Sequence, residues 1–284
     1  MLFGTVENHR EREKGVLVYP VYSRRAGGLS VGINLYPGKK SCTFACPYCE
    51  VFPFATNAEF SVEQMEQDLR SVIANALEQN IPVKDICFSG NGEPSLSPHF
   101  PEALKMAVRI RSELVPAAEL VLISNGTGLF QPEIFSLLKD SACGSLALNI
   151  WLKLDAGTPS WYKKINRTAI PHKKLIAVIK EFAACTPFTI QTMLCAIDGE
   201  EPPSDEAQEW ENLVTKLVVI ASEKGQGIRK IQMYGKARPS PEDPKAQSLS
   251  ISYLEERAAL LHKALNSSPL TSHFSLLPMI EVYP

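Results

Sequence analysis

Three cysteines fall within eight residues, in the run Cys42-Thr-Phe-Ala-Cys46-Pro-Tyr-Cys49. Thiolates so spaced suit three kinds of chemistry. A disulfide redox pair would use Cys46 and Cys49 and leave Cys42 idle. A structural zinc site wants four ligands, normally two close pairs, and the next cysteine is Cys87. An iron–sulfur cluster accepts thiolates, and three of them leave one iron open to a cofactor or substrate. The chain has seven cysteines, an odd number. In a cytosolic enzyme with reduced thiols this favours metal binding or catalysis over disulfides. Cys87, Cys143, Cys185 and Cys195 each stand among apolar neighbours and read as small core residues.

Other polar residues cluster where apolar runs end. Ser89-Gly90-Asn91-Gly92-Glu93-Pro94 is a turn whose glycines permit close backbone approach. Ser124-Asn125-Gly126 is either a strand-ending turn or a ligand contact. Lys153 and Asp155, two apart on a strand, point to one face, where charge must pair or meet a ligand. Gln191 and Met193 repeat that spacing, as do Gln232 and Tyr234, with Arg238 beyond; the last three are substrate-side candidates.

The elements that must position these residues follow from periodicity. Strands are expected at 29–35, 85–89, 120–124, 146–154, 188–195 and 228–234. Helices are expected at 61–79, 101–114, 132–139, 171–184 and 206–224, the first opened by a Ser61-to-Gln64 capping box. Six strand–helix repeats in a chain of 284 residues suit a partial, open (β/α)6 barrel, an α/β fold whose site lies at the C-terminal ends of its strands. The expected division is a leader over 1–28, the barrel over 29–236 and a C-terminal extension over 237–284, with a helix at 252–265.

With these residues in hand, the sequence resembles the radical S-adenosylmethionine (SAM) superfamily. The pattern C-x3-C-x2-C with Tyr48 before the last cysteine carries the resemblance, with the Gly90–Pro94 turn, Ser124-Asn125-Gly126 and Lys153-Leu154-Asp155 following in order. Within the superfamily it is similar to the wyosine-type Fe–S oxidoreductases through Ser23-Arg24-Arg25, Gly32-Ile33-Asn34-Leu35, Glu50, Ala156-Gly157 and Gln191-Thr192-Met193. The resemblance covers about residues 15–245. It implies a barrel of the radical SAM type, with Cys42, Cys46 and Cys49 ligating a [4Fe–4S] cluster. It further implies SAM contacts at Tyr48, Gly90, Asn91, Gly92, Glu93, Ser124, Asn125, Lys153, Asp155 and Gln191. Phe44 and Tyr48 would keep cluster and adenine dry, and an electron donor of flavodoxin or ferredoxin type would serve the site. Unlike known wyosine enzymes, the chain has no cysteine before Cys42.

Composition bounds the substrate less. Hydrophobic residues make up 45% and charged residues 21%, as in an ordinary globular domain, and the net charge of −2 does not by itself select nucleic acid. Residues 151–180 hold seven Lys/Arg against Asp155 alone, and 181–211 hold eight acids with no Lys or Arg. Trp161-Tyr162-Lys163-Lys164 and Arg167 form either a phosphate- and base-binding rim or a helix with its aromatics packed inward. tRNA is therefore one expected substrate. A partner protein receiving a glycyl radical is another, and a non-catalytic Fe–S or zinc module is the alternative from a different class. The N-terminus lacks the apolar stretch of a signal peptide and no apolar run approaches membrane length, so a cytoplasmic protein is expected.

Overall fold

The computed structural model describes residues 15–267 and 277–283; residues 1–14 of the leader and 268–276 and 284 of the extension lie outside them. Among the described residues nine strands form one sheet: β1 Val18–Ser23, β2 Gly28–Ile33, β3 Val83–Phe88, β4 Glu119–Ser124, β5 Asn149–Lys153, β6 Phe188–Ile197, β7 Ile228–Gly235, β8 Ala246–Ser248 and β9 Met279–Tyr283. Strands β2 to β7 run parallel in sequence order, as the six-repeat reading requires. The sheet curls into a half-barrel. It also extends past those six strands. Strand β1 pairs antiparallel with β2, β9 pairs parallel with β7, and β8 adds to the far end of β6. Segments read as leader and extension thus belong to the same sheet.

The helices are α1 Val62–Glu78, α2 Phe100–Leu114, α3 Pro132–Cys143, α4 Pro159–Ile165, α5 His172–Ala183, α6 Ser204–Glu223 and α7 Ile251–Ser267. Ser61 caps α1 by accepting from the Gln64 amide at 3.2 Å, but the Gln64 side chain donates forward to Asp68 at 2.8 Å. The expected capping box is half formed. The period of two sends alternate strand residues to opposite faces. The outer set, including Ile86, Phe88, Leu120, Leu122, Ile150 and Leu152, packs in one core with Met65, Leu69, Leu104 and Ile110 of the helices. Phe88 meets Phe100 edge-to-face at 5.4 Å, a geometry worth about 0.5–1.5 kcal/mol beyond its buried area. The inner set includes a separate small cluster of Cys87, Val121 and Trp151, with Ile123 against it. Of the four scattered cysteines, Cys87 and Cys195 are buried as expected. Cys143, at the end of α3, is exposed and Cys185 half-buried, because both lie where helices run out into loops.

One inner residue carries a pH signature. Asp85 is buried and accepts from the Ser30 hydroxyl. Burial raises its carboxyl from 3.8 to about 6 despite that hydrogen bond. An acid raised in the fold weakens stability as pH climbs through the folded value, and the penalty disappears below the unfolded one. At about 1.4 kcal/mol per pH unit, Asp85→Asn is expected to stabilise the protein by about 2–3 kcal/mol at about pH 8 and by little near pH 4. Urea denaturation of parent and variant at both pH values measures this, and an equal gain at both would contradict it.

Candidate functional site

The loop joining β2 to α1 carries the cysteines, and its path is set by backbone contacts with the turn after β3. Ser41 N–H donates to the Asn91 carbonyl at 2.8 Å, and the Ser41 carbonyl accepts from Glu93 N–H at 2.9 Å, making a one-residue parallel bridge to Gly92. A Cβ on Gly92 would fall far inside contact distance of the Ser41 carbonyl oxygen. The close approach anticipated at Gly92 is therefore to the protein's own cysteine loop, rather than to an open cradle. Gly90 has φ +114°, in the region that favours glycine, with Asn34 3.0 Å from where a β-carbon would stand. Asn34, at the end of β2, is fully buried. Its Oδ1 accepts from the Tyr36 and Asn91 amides at 3.1 and 3.2 Å, and its Nδ2 donates to Val16 at 2.9 Å.

Glu93 is buried, not the solvated turn acid that its proline neighbour also allowed. Oε1 accepts from the Ser95 hydroxyl at 2.6 Å and the Ser124 hydroxyl at 2.8 Å, and Oε2 accepts from the Asn125 amide at 2.6 Å. One carboxylate thus joins the turns after β3 and β4. Burial raises its pKa, and the four hydrogen bonds it accepts from Ser95, Asn125 and Ser124 oppose that rise.

The sulfurs meet amide donors from distant parts of the chain. Cys42 Sγ accepts from Phe44 N–H at 3.4 Å and from Asn125 Nδ2 at 3.5 Å. Cys46 Sγ accepts from Asn166 Nδ2 at 3.5 Å. Cys42 is exposed as a residue and Cys46 and Cys49 half-buried. Desolvation nonetheless pushes the Cys42 thiol to about 11, with Glu93 and Cys49 adding to it, and the Cys46 thiol to about 12, with Asp155 adding to it. Thiolates here need positive charge, which bound iron supplies, and N–H donors to sulfur are a standard means of tuning such a cluster. The donor set fits that group. Among the described residues no three His, Cys, Asp or Glu side chains are set to hold a single metal ion. Thiolates of a four-iron cluster each bind a different iron and need not converge on one point.

Asp155 ties the cysteine loop to the barrel interior. It accepts from the Tyr48 hydroxyl, from Asn166 Nδ2 at 2.9 Å and from the Met193 amide at 2.9 Å, and it lies 3.7 Å from Lys153 Nζ. Lys153 also donates to Tyr234 and sits over the Tyr48 and Tyr234 rings at 4.7 and 5.1 Å. Burial lowers the Lys153 pKa, but Asp155, Tyr234 and Cys46 outweigh it and hold the ammonium charged. That suits it to supplying charge, not a nucleophilic amine. Phe44 and Tyr48 are both buried.

The structure thus gathers Tyr48, Lys153 and Asp155 under the cysteine loop, with Gly90, Asn91, Gly92, Glu93, Ser124 and Asn125 beside it. Gln191 lies apart on the inner face, donating to Gln232 at 2.8 Å. Asn166, Glu206 and Thr43, whose hydroxyl accepts from Asn125 Nδ2 at 3.1 Å, escaped the sequence reading, and Asn34 entered it only through the family resemblance. Glu206, on α6, accepts from the Gly157 and Thr158 amides at 2.6 and 2.8 Å and so closes the N-terminus of α4. Of the two readings of the basic stretch, the helix with its aromatics packed inward is the one formed. Trp161 and Tyr162 are buried on α4, Lys164 pairs with Glu200 at 2.5 Å and Arg167 pairs with Glu242. Glu200 of the acidic run answers Lys164, and burial leaves the aromatics unavailable to stack bases. Among the described residues no helix is long and apolar enough to cross a membrane.

Comparison with known proteins supplies the family. The description of the radical SAM superfamily matches residues 37–202, more than half of the chain. UPF0026 proteins from two strains of Helicobacter pylori are 32% and 31% identical over 127 residues, which is 43% of this chain but 38% of each relative. Among solved structures, a radical SAM methyltransferase from Sphaerobacter thermophilus superposes with TM-score 0.63 at 15% identity, covering 93% of this chain and 68% of its own. SuiB from Streptococcus suis, solved with S-adenosylmethionine, gives 0.61 at 14% identity over 88% and 50%. TYW1 with a lysine-pyruvate adduct gives 0.54 at 14% identity over 82% and 73%. At these identities the structures share the fold. The family match and this fold together place the chain in the radical SAM superfamily, enzymes that work with a [4Fe–4S] cluster and SAM.

Proposed function

We propose that Cys42, Cys46 and Cys49 ligate three irons of the cluster and that the fourth takes the amine and carboxylate of SAM. The chemistry such a cluster supplies when bound is one-electron reduction of the SAM sulfonium, giving methionine and a 5′-deoxyadenosyl radical that takes hydrogen from the substrate. The observation that carries the assignment is the delivery of Asn125 and Asn166 amide donors to two of the three sulfurs. Tyr48, Gly90, Asn91, Glu93, Ser124, Asn125, Lys153 and Asp155 are the residues assigned to SAM, while Gly92 serves the cysteine loop and Gln191, lying apart, is left for the substrate. Lys153 contributes a fixed positive charge among them, while Phe44 and Tyr48 exclude water. A cytoplasmic location and a flavodoxin- or ferredoxin-type donor belong to the same reading. With the rim aromatics buried, the substrate is sought inside the barrel and not along an RNA-binding surface.

Anaerobic reconstitution tests this. The parent is expected to hold about four iron per chain and, with dithionite and SAM, to form 5′-deoxyadenosine and methionine. Cys46→Ala is expected to lose both iron and activity. A colourless protein with one tightly held zinc would end the reading.

A further inference from the structure

Three polar groups on the inner face of the barrel have no hydrogen-bond or acid partner among the described residues. Trp151 Nε1 and Gln191 Oε1 are buried and unpaired. The orientation of Gln191 is set by a chain of donors that begins at Glu281. That carboxylate accepts from Lys230 and Tyr283, each at 2.8 Å, and from Gln232 Nε2 at 3.1 Å. Gln232 must therefore turn its oxygen to Gln191, whose Nε2 donates to it. Reversing either amide sets like atoms against each other, so Gln191 Oε1 is left over by necessity. Register places Trp151 beside Thr189 and Lys153 beside Gln191. The orphan donor and orphan acceptor are thus diagonal neighbours on one face.

Arg25, from the turn between β1 and β2, is the third group. Its guanidinium lies 4.6 Å from the Tyr234 ring centre and 5.8 Å from that of Trp151. No acid among the described residues lies within ion-pair distance of it; Asp85 acts on it only at longer range. A buried polar atom left unpaired costs about 1–3 kcal/mol, and native folds hold few. Two on one face beside a guanidinium without an acid make a recognisable set: a cation, an N–H donor and a carbonyl acceptor.

We propose that the barrel interior binds the oxyanion end of a small substrate. Arg25 and the Trp151 N–H hold the oxyanion, and the Gln191 carbonyl accepts from an N–H or O–H on the same molecule. Its use as the substrate site rests on the radical SAM reading; the binding itself does not. Trp151 is 5% exposed and Gln191 fully buried, so only a small molecule or the end of a larger one reaches them.

The test titrates the reconstituted, SAM-loaded protein with acetate, glycolate or inorganic phosphate at constant ionic strength, following the unfolding midpoint. A saturable rise is expected with the carboxylates or with phosphate, and which of them produces it identifies the oxyanion. If carboxylates bind, glycolate is expected to bind more tightly than acetate, because its hydroxyl can reach Gln191. Arg25→Gln should weaken binding by about tenfold or more. Trp151→Phe, which keeps a ring and loses the N–H, should weaken it by about fivefold. Lys105→Gln, on the exposed face of α2, should leave it at the parent level. Iron content and SAM retention are measured on the same samples, so a failure of the cluster reading is seen separately. No saturable effect in the parent, or equal binding in the parent and both site variants, overturns the proposal.

Discussion

Gly92→Val is expected to strip the protein of most of its iron while leaving a folded barrel. The β-carbon alone collides with the Ser41 carbonyl, a backbone atom, and valine adds two methyl groups to the collision. Ser41 adjoins Cys42, and the two hydrogen bonds that flank Gly92 are what hold this part of the loop in place. Relief of the clash must therefore move the first cysteine. Gly227→Ala, where an added methyl meets nothing within 4 Å, is the matched control and should keep its iron. Iron and sulfide analysis of the two variants, with circular dichroism to confirm the fold, decides the matter. Full iron in Gly92→Val would mean that the bridge between loop and turn does not position the cysteines.

The largest stability effect is expected at Asp155. Replacing it with asparagine keeps the shape but leaves the Lys153 ammonium in the interior without its acid, and sets an amide –NH2 toward existing donors. Breaking a buried charge pair by removing one partner typically costs about 3–5 kcal/mol, because the remaining charge is uncompensated. Lys153→Met in the same background should return part of that loss, since it removes the stranded charge. The coupling energy from the four-protein denaturation cycle is the measurement. Additive effects would show that the 3.7 Å pair contributes nothing. Asp155→Asn should also loosen Tyr48 and Asn166, so slower recovery of the cluster after reconstitution is expected even where the fold survives.

Both expectations turn on contacts between segments far apart in the chain, and there sequence and structure part company. The cysteine spacing is a local property of eight residues, and it indicated the chemistry without any tertiary information. Strand–helix alternation is likewise local, because periods of two and 3.6 report which face of an element is buried. The six parallel strands and their order therefore followed from the chain alone. Where the local signal was short or polar it left two readings open. The seven residues of α4 read equally well as a basic, aromatic rim, because nothing in Trp161-Tyr162-Lys163-Lys164 says which side chains face inward.

Tertiary structure alone decided the partners. Asn166 reaches Cys46 across 120 positions and Arg238 reaches Glu50 across 188. Glu93 is a bracket between two turns because β3 and β4 are neighbours in the sheet, and Glu206 caps α4 because α6 packs across its start. Strand β9 joins β7 from a segment whose sequence had suggested only an extension. A polar side chain carries no record of its partner in its own neighbourhood. Desolvation makes a partner obligatory, and only the packing of the barrel determines which one is within reach.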